Sequence, residues 1–251
     1  QRVIGQAESE GAAAIIFDID TFGGRVDAAT QMKDIILDSK VTTVAFINKR
    51  AISAGALISL SCDSIFMTPG ASIGAATAVD LQGNKASEKV ISYMREEMAS
   101  TAEANNRFRD VASGMVDEEL SISFIINSRG DTLTSKDVEG FSEGKLVTLS
   151  TNLALLLEIA DKQLNTIDDV LNHMNLQNAK KVEIKESWSE MLVRFLTNPT
   201  VAPLFMSLGM LGLFFEIKSP GFGVPGILGL ICLALFFGSH LLVGLADMTE
   251  F

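Results

Sequence analysis

Two short turns hold the residues best suited to chemistry. The first, Asp20-Thr21-Phe22-Gly23-Gly24, follows the apolar run Ala13 to Ile19, and the second, Ile52-Ser53-Ala54-Gly55-Ala56, follows the apolar run Val41 to Ile47. A strand ending in Gly-Gly leaves backbone N–H groups bare, because glycine tolerates unusual dihedrals and brings no side chain to shield them. Such a turn can hold an oxyanion. A strand ending in a serine between small residues presents a hydroxyl at the mouth of the following helix (Ala54 to Leu60), where the peptide dipoles favour negative charge. Together the turns point to acyl transfer with Ser53 as nucleophile. The competing reading makes Ser53 only a small residue that lets a helix pack on a sheet.

A serine nucleophile needs a base. His173 falls in a polar helical segment far along the chain and His240 in an apolar run, so a Ser-His-Asp triad is not the natural reading. A desolvated lysine can serve instead, since burial disfavours its charged form. Lys49, four residues before Ser53 at a strand end, reads more simply as a solvated rim residue, and Lys85 lies in the polar loop Gln82-Gly83-Asn84. Lys89 stands at a helix start beside Val90 and Ile91, which could seat its amine in a dry site.

The elements that must position these groups alternate. Helical spacing is predicted for Val3 to Glu10, Arg25 to Ser39, Ala54 to Ser61, a long helix from Ser87 to Val111, Asn152 to Ile159 and Thr166 to Met174. Strands are predicted at Ser64 to Met67 and Lys145 to Leu149, with a turn at Pro69 to Gly74. Alternating β and α elements imply right-handed crossovers and a largely parallel sheet. The stretch Ser121 to Phe141 reads as a polar, irregular surface excursion.

Charge divides the chain. Of 251 residues 47% are hydrophobic, and the net charge of −11 resides almost entirely ahead of Val201. An acidic, solvated front part argues against nucleic acid as a partner. From Val201 to Ala246 the ionisable side chains are Glu216, Lys218 and His240. Gly226 to Ala246 is long enough to cross a bilayer as a helix; Val201 to Phe215 is shorter, and Lys218 to Gly226 is a Pro/Gly turn between them. A membrane hairpin is expected, with Gly209, Gly212, Gly226 and Gly229 allowing close helix contact. Cys62 and Cys232 fall in different regions, which argues against a disulfide, and neither has metal-ligand neighbours. The expected domains are therefore 1–195 and 196–251. The chain opens on a helical pattern without Met and stops just past an apolar run, so it reads as a fragment of a longer membrane protein.

The runs Asp20-Thr21-Phe22-Gly23-Gly24-Arg25, Ile52-Ser53-Ala54-Gly55-Ala56 and Met67-Thr68-Pro69-Gly70-Ala71-Ser72-Ile73-Gly74-Ala75-Ala76 resemble the NfeD family of membrane-bound serine proteases, relatives of signal peptide peptidase A and ClpP. The likeness continues through Met115-Val116-Asp117, Gly144 to Leu149 and the turn Ser219 to Gly226. It implies an α/β fold of the ClpP/crotonase type with βαβ units, followed by a transmembrane hairpin. It also implies a peptidase with a Ser-Lys dyad, here Ser53 and Lys89, an oxyanion hole from the N–H groups of Gly23 or Gly24 and of Ala54, and Ser72 as a site-shaping residue. No cofactor or metal is implied. The expected partners are a stomatin/flotillin-like (SPFH) membrane protein, an apolar peptide substrate, the lipid bilayer and further copies of the chain. The expected location is a multi-pass one in the cell membrane, with the protease domain extracytoplasmic. The family usually has proline where this chain has Phe22, which predicts a looser oxyanion turn. A crotonase-like acyl-CoA enzyme and a non-catalytic scaffold for a stomatin-like protein are the alternatives.

Overall fold

A computed structural model describes residues 2–79, 83–184, 188–218 and 223–242. They form two compact units, one reaching to Lys180 and the other starting at Lys181. The expected α/β architecture is observed in the first.

That unit opens with helix α1 (Arg2–Glu10), strand β1 (Ile15–Thr21) and helix α2 (Val26–Leu37). Strand β2 (Thr43–Ile52), helix α3 (Ala54–Leu60), strand β3 (Ser64–Met67) and strand β4 (Ser72–Gly74) follow. Val44, Ala45, Phe46 and Ile47 are all buried, so β2 is covered on both faces, as an apolar strand in a parallel sheet should be. From Thr43 to Ile47 β2 pairs in parallel with β1, and past a register shift Ala51 pairs with Thr21. On its other edge it divides its partners, Val44 to Ile47 pairing with β3 and Arg50 to Ile52 with β4. The sheet therefore curls where β2 ends, and Ser53 emerges at that point.

Helices α4 (Glu88–Ala104) and α5 (Arg109–Gly114) replace the single long helix predicted over Ser87 to Val111. The break has an identifiable cause. Asn106 takes φ 56°, the Asn105 side-chain amide donates to the Leu60 carbonyl at 2.8 Å, and the Arg107 side chain turns inward. Its guanidinium donates to the carbonyls of Ile159 (3.0 Å), Cys62 (3.1 Å) and Asp63 (3.3 Å) and pairs with Asp161 at 3.3 Å. Such a fork ties three chain segments together, which periodicity alone does not disclose.

Strands β5 (Ile125–Ile126) and β6 (Thr132–Leu133) form a separate antiparallel pair. Strand β7 (Thr148–Ser150) then runs antiparallel to β4. Helix α6 (Thr151–Leu156), strand β8 (Lys162–Gln163) beside β3, and helix α7 (Ile167–His173) complete the unit. The stretch Ser121 to Phe141 is not the surface excursion expected from its polarity. Ile122, Ile125, Leu133, Val138 and Phe141 are buried and belong to the main core. Helix α7 opens with a capping box in which the Thr166 hydroxyl accepts from the Asp169 N–H and the Asp169 carboxylate accepts from the Thr166 N–H.

The second unit contains helices α8 (Trp188–Leu196), α9 (Ala202–Lys218) and α10 (Val224–Leu242). Among the described residues α10 alone is long and apolar enough to cross a membrane. Residues 219–222 of the expected turn and 243–251 lie outside the described residues. Helices α9 and α10 pack on each other through the glycines singled out above. A Cβ at Gly212 would lie 2.8 Å from the Gly229 Cα, and one at Gly229 would lie 2.8 Å from the Gly209 carbonyl. Glu216 accepts from the N–H groups of Gly223 (2.6 Å) and Gly226 (3.0 Å), so its charge caps the start of α10.

Arg107→Met should lower stability by about 3 kcal/mol, since it leaves several inward carbonyls without a donor. The shift of the urea midpoint measures it, and a loss below about 1 kcal/mol would show that water replaces the guanidinium.

Candidate active site

The end of β2 and the start of α3 meet at Ser53, which takes φ 57° and ψ −119°. A non-glycine residue at positive φ stores strain, and a serine held so on a strand-to-helix turn has its hydroxyl thrust out of the backbone. The conformation is pinned from both sides. The Ser53 N–H donates to the Gly74 carbonyl at 3.0 Å, and the Ser53 carbonyl accepts from the N–H groups of Ala56 (2.9 Å) and Leu57 (3.4 Å).

The Gly23-Gly24 turn, coming off the parallel neighbour β1, is brought directly against this residue. Gly23 has φ 125°, and a Cβ there would lie 2.7 Å from the Ser53 Cβ and 3.1 Å from its Oγ. Gly24 faces Ala54. The Gly23 N–H is engaged by the Thr21 Oγ1 at 3.1 Å. Among the described residues the N–H groups of Gly24 and Ala54 have no acceptor, so they are the donors free to meet an anion. Gly55 allows the helix to approach the strand, as a Cβ there would lie 2.6 Å from the Thr21 methyl.

Phe22, where proline was expected, is 76% exposed. The Arg50 guanidinium lies 4.5 Å from its ring centre and its Nε is 3.0 Å from the Asp20 carboxylate. A cation–π contact and an ion pair thus hold the turn that proline would have stiffened.

A small apolar cavity of about 20 Å³ opens beside Ser53, lined by Gly24, Val26, Ala54, Leu57, Met94 and Met98 among others. Helix α4 supplies the two methionines but not Lys89. That lysine and Val90 are exposed, whereas Ile91 is fully buried, because Lys89 lies about 200° of helical rotation from Ile91. The dry seat expected for its amine is absent from this arrangement. Lys89 nevertheless has no ion-pair partner among the described residues. Lys85 is held by Glu118 (3.3 Å) and Glu119 (3.1 Å), which raise its pKa and keep it protonated, and Lys49 is 3.8 Å from Asp20.

Ser72 lies on β4 beside Arg50 and lines an open groove of about 480 Å³ with Phe22, Asn48, Lys49 and Ile52. It is not among the residues lining the Ser53 cavity. The imidazole of His173 lies 3.2 Å from Lys162, and that of His240 contacts the Phe236 carbonyl within α10. The Cys62 thiol is pushed up to about 12 by burial, which keeps it out of nucleophilic chemistry. Among the described residues no group of three or more His, Cys, Asp or Glu side chains could hold a metal ion. Strands β4 and β8 escaped the sequence reading because three and two residues are too short to show a period.

The family description "NfeD1b, N-terminal domain" matches residues 1–184, and "NfeD integral membrane domain" matches 200–251. The membrane protein NfeD1b of Bacillus subtilis is 39% identical over 98% of this chain and 53% of its own length. The membrane-bound protease PH1510 of Pyrococcus horikoshii is 28% identical over 93% of this chain and 52% of its own. The chain thus spans about half the length of the curated relatives it matches. Among solved structures, the 1510-N membrane-bound stomatin-specific protease is similar in fold. A lysine-to-alanine mutant of it, in complex with a substrate peptide, has a TM-score of 0.57 at 24% identity, covering 78% of this chain and 89% of that one. A serine-to-alanine mutant gives 0.54 at 25% identity, covering 73% and 83%.

The strain at Ser53 has a measurable consequence. Ser53→Gly should stabilise the protein by about 1 kcal/mol relative to Ser53→Ala, because glycine relaxes at positive φ and alanine does not. Equal denaturation midpoints for the two variants would show that the turn is unstrained.

Proposed function

The chain belongs to the NfeD family of membrane proteins, and we propose that it is a membrane-anchored serine endopeptidase with Ser53 as nucleophile and Lys89 as base. The observation that carries this reading is the strained Ser53 turn packed against the Gly23-Gly24 turn. A residue that only let a helix pack would not need a positive φ. The similarity to a membrane-bound protease supports the same reaction class.

Ser53 Oγ attacks the scissile carbonyl carbon while its proton passes to the neutral Lys89 amine. The carbonyl oxygen becomes an oxyanion held by the N–H groups of Gly24 and Ala54. On collapse the C–N bond breaks and the departing amine takes the proton from Lys89, leaving an acyl ester on Ser53. Water, deprotonated by Lys89, then cleaves the ester, releasing the acid and restoring the hydroxyl. Gly23 gives this site its shape through contact with Ser53, and Ser72 belongs to the adjoining groove, where an extended chain would lie.

The cavity lined by Val26, Leu57, Met94 and Met98 is small and apolar, and would favour a small apolar group of the substrate beside Ser53. With helices α9 and α10 as a multi-pass anchor, an extracytoplasmic protease unit would meet membrane-proximal segments of a stomatin/flotillin-like partner. The similar solved structure is named a stomatin-specific protease, which supports a stomatin-like partner for this chain. Assembly into a homo-oligomer belongs to the same proposal.

One observation favours a second reading, a non-catalytic scaffold for such a partner: the exposed Lys89 is not among the residues at the Ser53 cavity. A fluorophosphonate probe and a peptide-cleavage assay separate the two. Under the protease reading, the wild type is labelled at Ser53 and Ser53→Ala is folded, unlabelled and inactive. A folded wild type that neither labels nor cleaves supports the scaffold.

Lys89→Ala should lower turnover by about 10²-fold or more, the usual contribution of a positioned base. Lys89→Arg should not restore it, since a guanidinium stays protonated. An active Lys89→Arg enzyme would remove Lys89 from the mechanism and leave Ser53 with another base.

A further inference from the structure

Helix α8 carries an apolar stripe that its own unit leaves uncovered. Trp188, Met191, Leu192 and Phe195 recur at i, i+3, i+4 and i+7 and so share one face. All of them are exposed, Trp188 to 77% and Phe195 to 54%. The adjoining arc does have a protein partner: Leu196 is buried and α8 packs against α10. Glu190 lies on the far side of the helix from the stripe, and Arg194 flanks it about 60° from Met191.

We propose that α8 lies in the plane of the bilayer interface, with this stripe sunk among the headgroups and upper acyl chains. Continuity with the membrane segment argues for lipid as the occupant. Five residues, 197–201, separate α8 from α9, and the match to the integral membrane domain begins at residue 200. The C-terminal end of α8 is therefore held within a few residues of the hydrocarbon boundary. The outward residues of α9, among them Leu204 and Leu208, are as exposed as the stripe, so the segment on either side of residues 197–201 presents apolar side chains that lipid would cover. A helix of nine residues is about 14 Å long, too short to span, and its charged arc forbids burial. An amphipathic helix of this kind rests at the interface, where a tryptophan ring is at its most stable.

Trp188 is the chain's only tryptophan, so its fluorescence reports on this face alone. The experiment uses the chain reconstituted in phosphatidylcholine–phosphatidylglycerol vesicles carrying brominated phosphatidylcholine, with the bromines placed near the glycerol backbone or near the chain ends. The expected result is blue-shifted emission, with a greater loss to the shallow bromines than to the deep ones. Deep bromines quenching more strongly would overturn the in-plane arrangement. Emission open to iodide and untouched by bromine would overturn lipid contact. Blue-shifted emission that neither quencher reaches would overturn it in favour of a second copy or another protein surface. A paired variant, Met191→Glu with Leu192→Glu, should still float with the vesicles through its hairpin while Trp188 shifts to the red and loses bromine quenching. Unchanged quenching in that variant would also overturn the proposal.

Discussion

The contact between Gly23 and Ser53 governs the first unit's candidate site, because two turns converge there with no room for a further carbon atom. Strands β1 and β2 are parallel neighbours, so their C-terminal ends lie side by side and both chains must turn within the same space. A Cβ at Gly23 would come within 2.7 Å of the Ser53 Cβ. Thr21 fastens the joint from beneath: its hydroxyl bonds to Gly23 and its methyl lies where a side chain on Gly55 would have to go. Ser53 keeps its unfavourable backbone angles because its N–H and its carbonyl are both bound by neighbouring segments. Strain persists where surrounding structure overdetermines it, and such places cluster at functional sites.

This joint was legible in the sequence because it is local. Gly-Gly after one apolar run and Ser between small residues after another are turn signals, and parallel pairing of consecutive strands brings them together. What was not legible depends on side chains reaching across the fold. The break between α4 and α5 follows from Arg107 finding carbonyls at Cys62, Asp63 and Ile159, residues far away in sequence. The segment from Ser121 to Phe141 looked like surface because its polar residues outnumber its apolar ones. Ile122, Ile125, Leu133, Val138 and Phe141 turn inward while Phe124 and Ile126 stay exposed, and the buried Asn127 bonds to Asp131 and the Leu156 carbonyl. The dry seat expected for the Lys89 amine is missing for a rotational reason: Lys89 stands two residues before the buried Ile91, which puts it on the opposite side of the helix.

The second unit shows how a charge can belong in an apolar hairpin. Glu216 satisfies two N–H groups at the start of α10 that would otherwise have no acceptor in a hydrocarbon setting. It also faces Gly226, where a Cβ would meet its side chain at 2.7 Å. The carboxylate and the glycine therefore depend on one another, and the sparse charge read from the sequence marks an interaction within the hairpin.

In the proposed dyad, the position of the base follows from how α4 is anchored. From Ile91 onward the helix is fixed: Ile91, Met94 and Met98 are buried, Arg95 is paired with Asp117, and Glu97 with Lys33 at 2.9 Å. Its first turn is bound far less, since Ser87 makes no side-chain cap bond and Glu88, Lys89 and Val90 are exposed. A straight helix cannot present Lys89 and Met94 on one face, because five residues rotate the side chain by about 140° from alignment. For the Lys89 amine to reach Ser53 Oγ, this first turn must unwind or re-aim while the rest of α4 keeps lining the cavity. The few hydrogen bonds of one terminal turn are a small cost beside the contacts that a substrate side chain would make with Met94 and Met98. Catalytic hydrogen bonds are often long before substrate binds. In a dyad completed by its substrate the Lys89 amine would be re-aimed as a substrate side chain seats against Met94 and Met98, and the cavity beside Ser53 is the element that would sense the substrate.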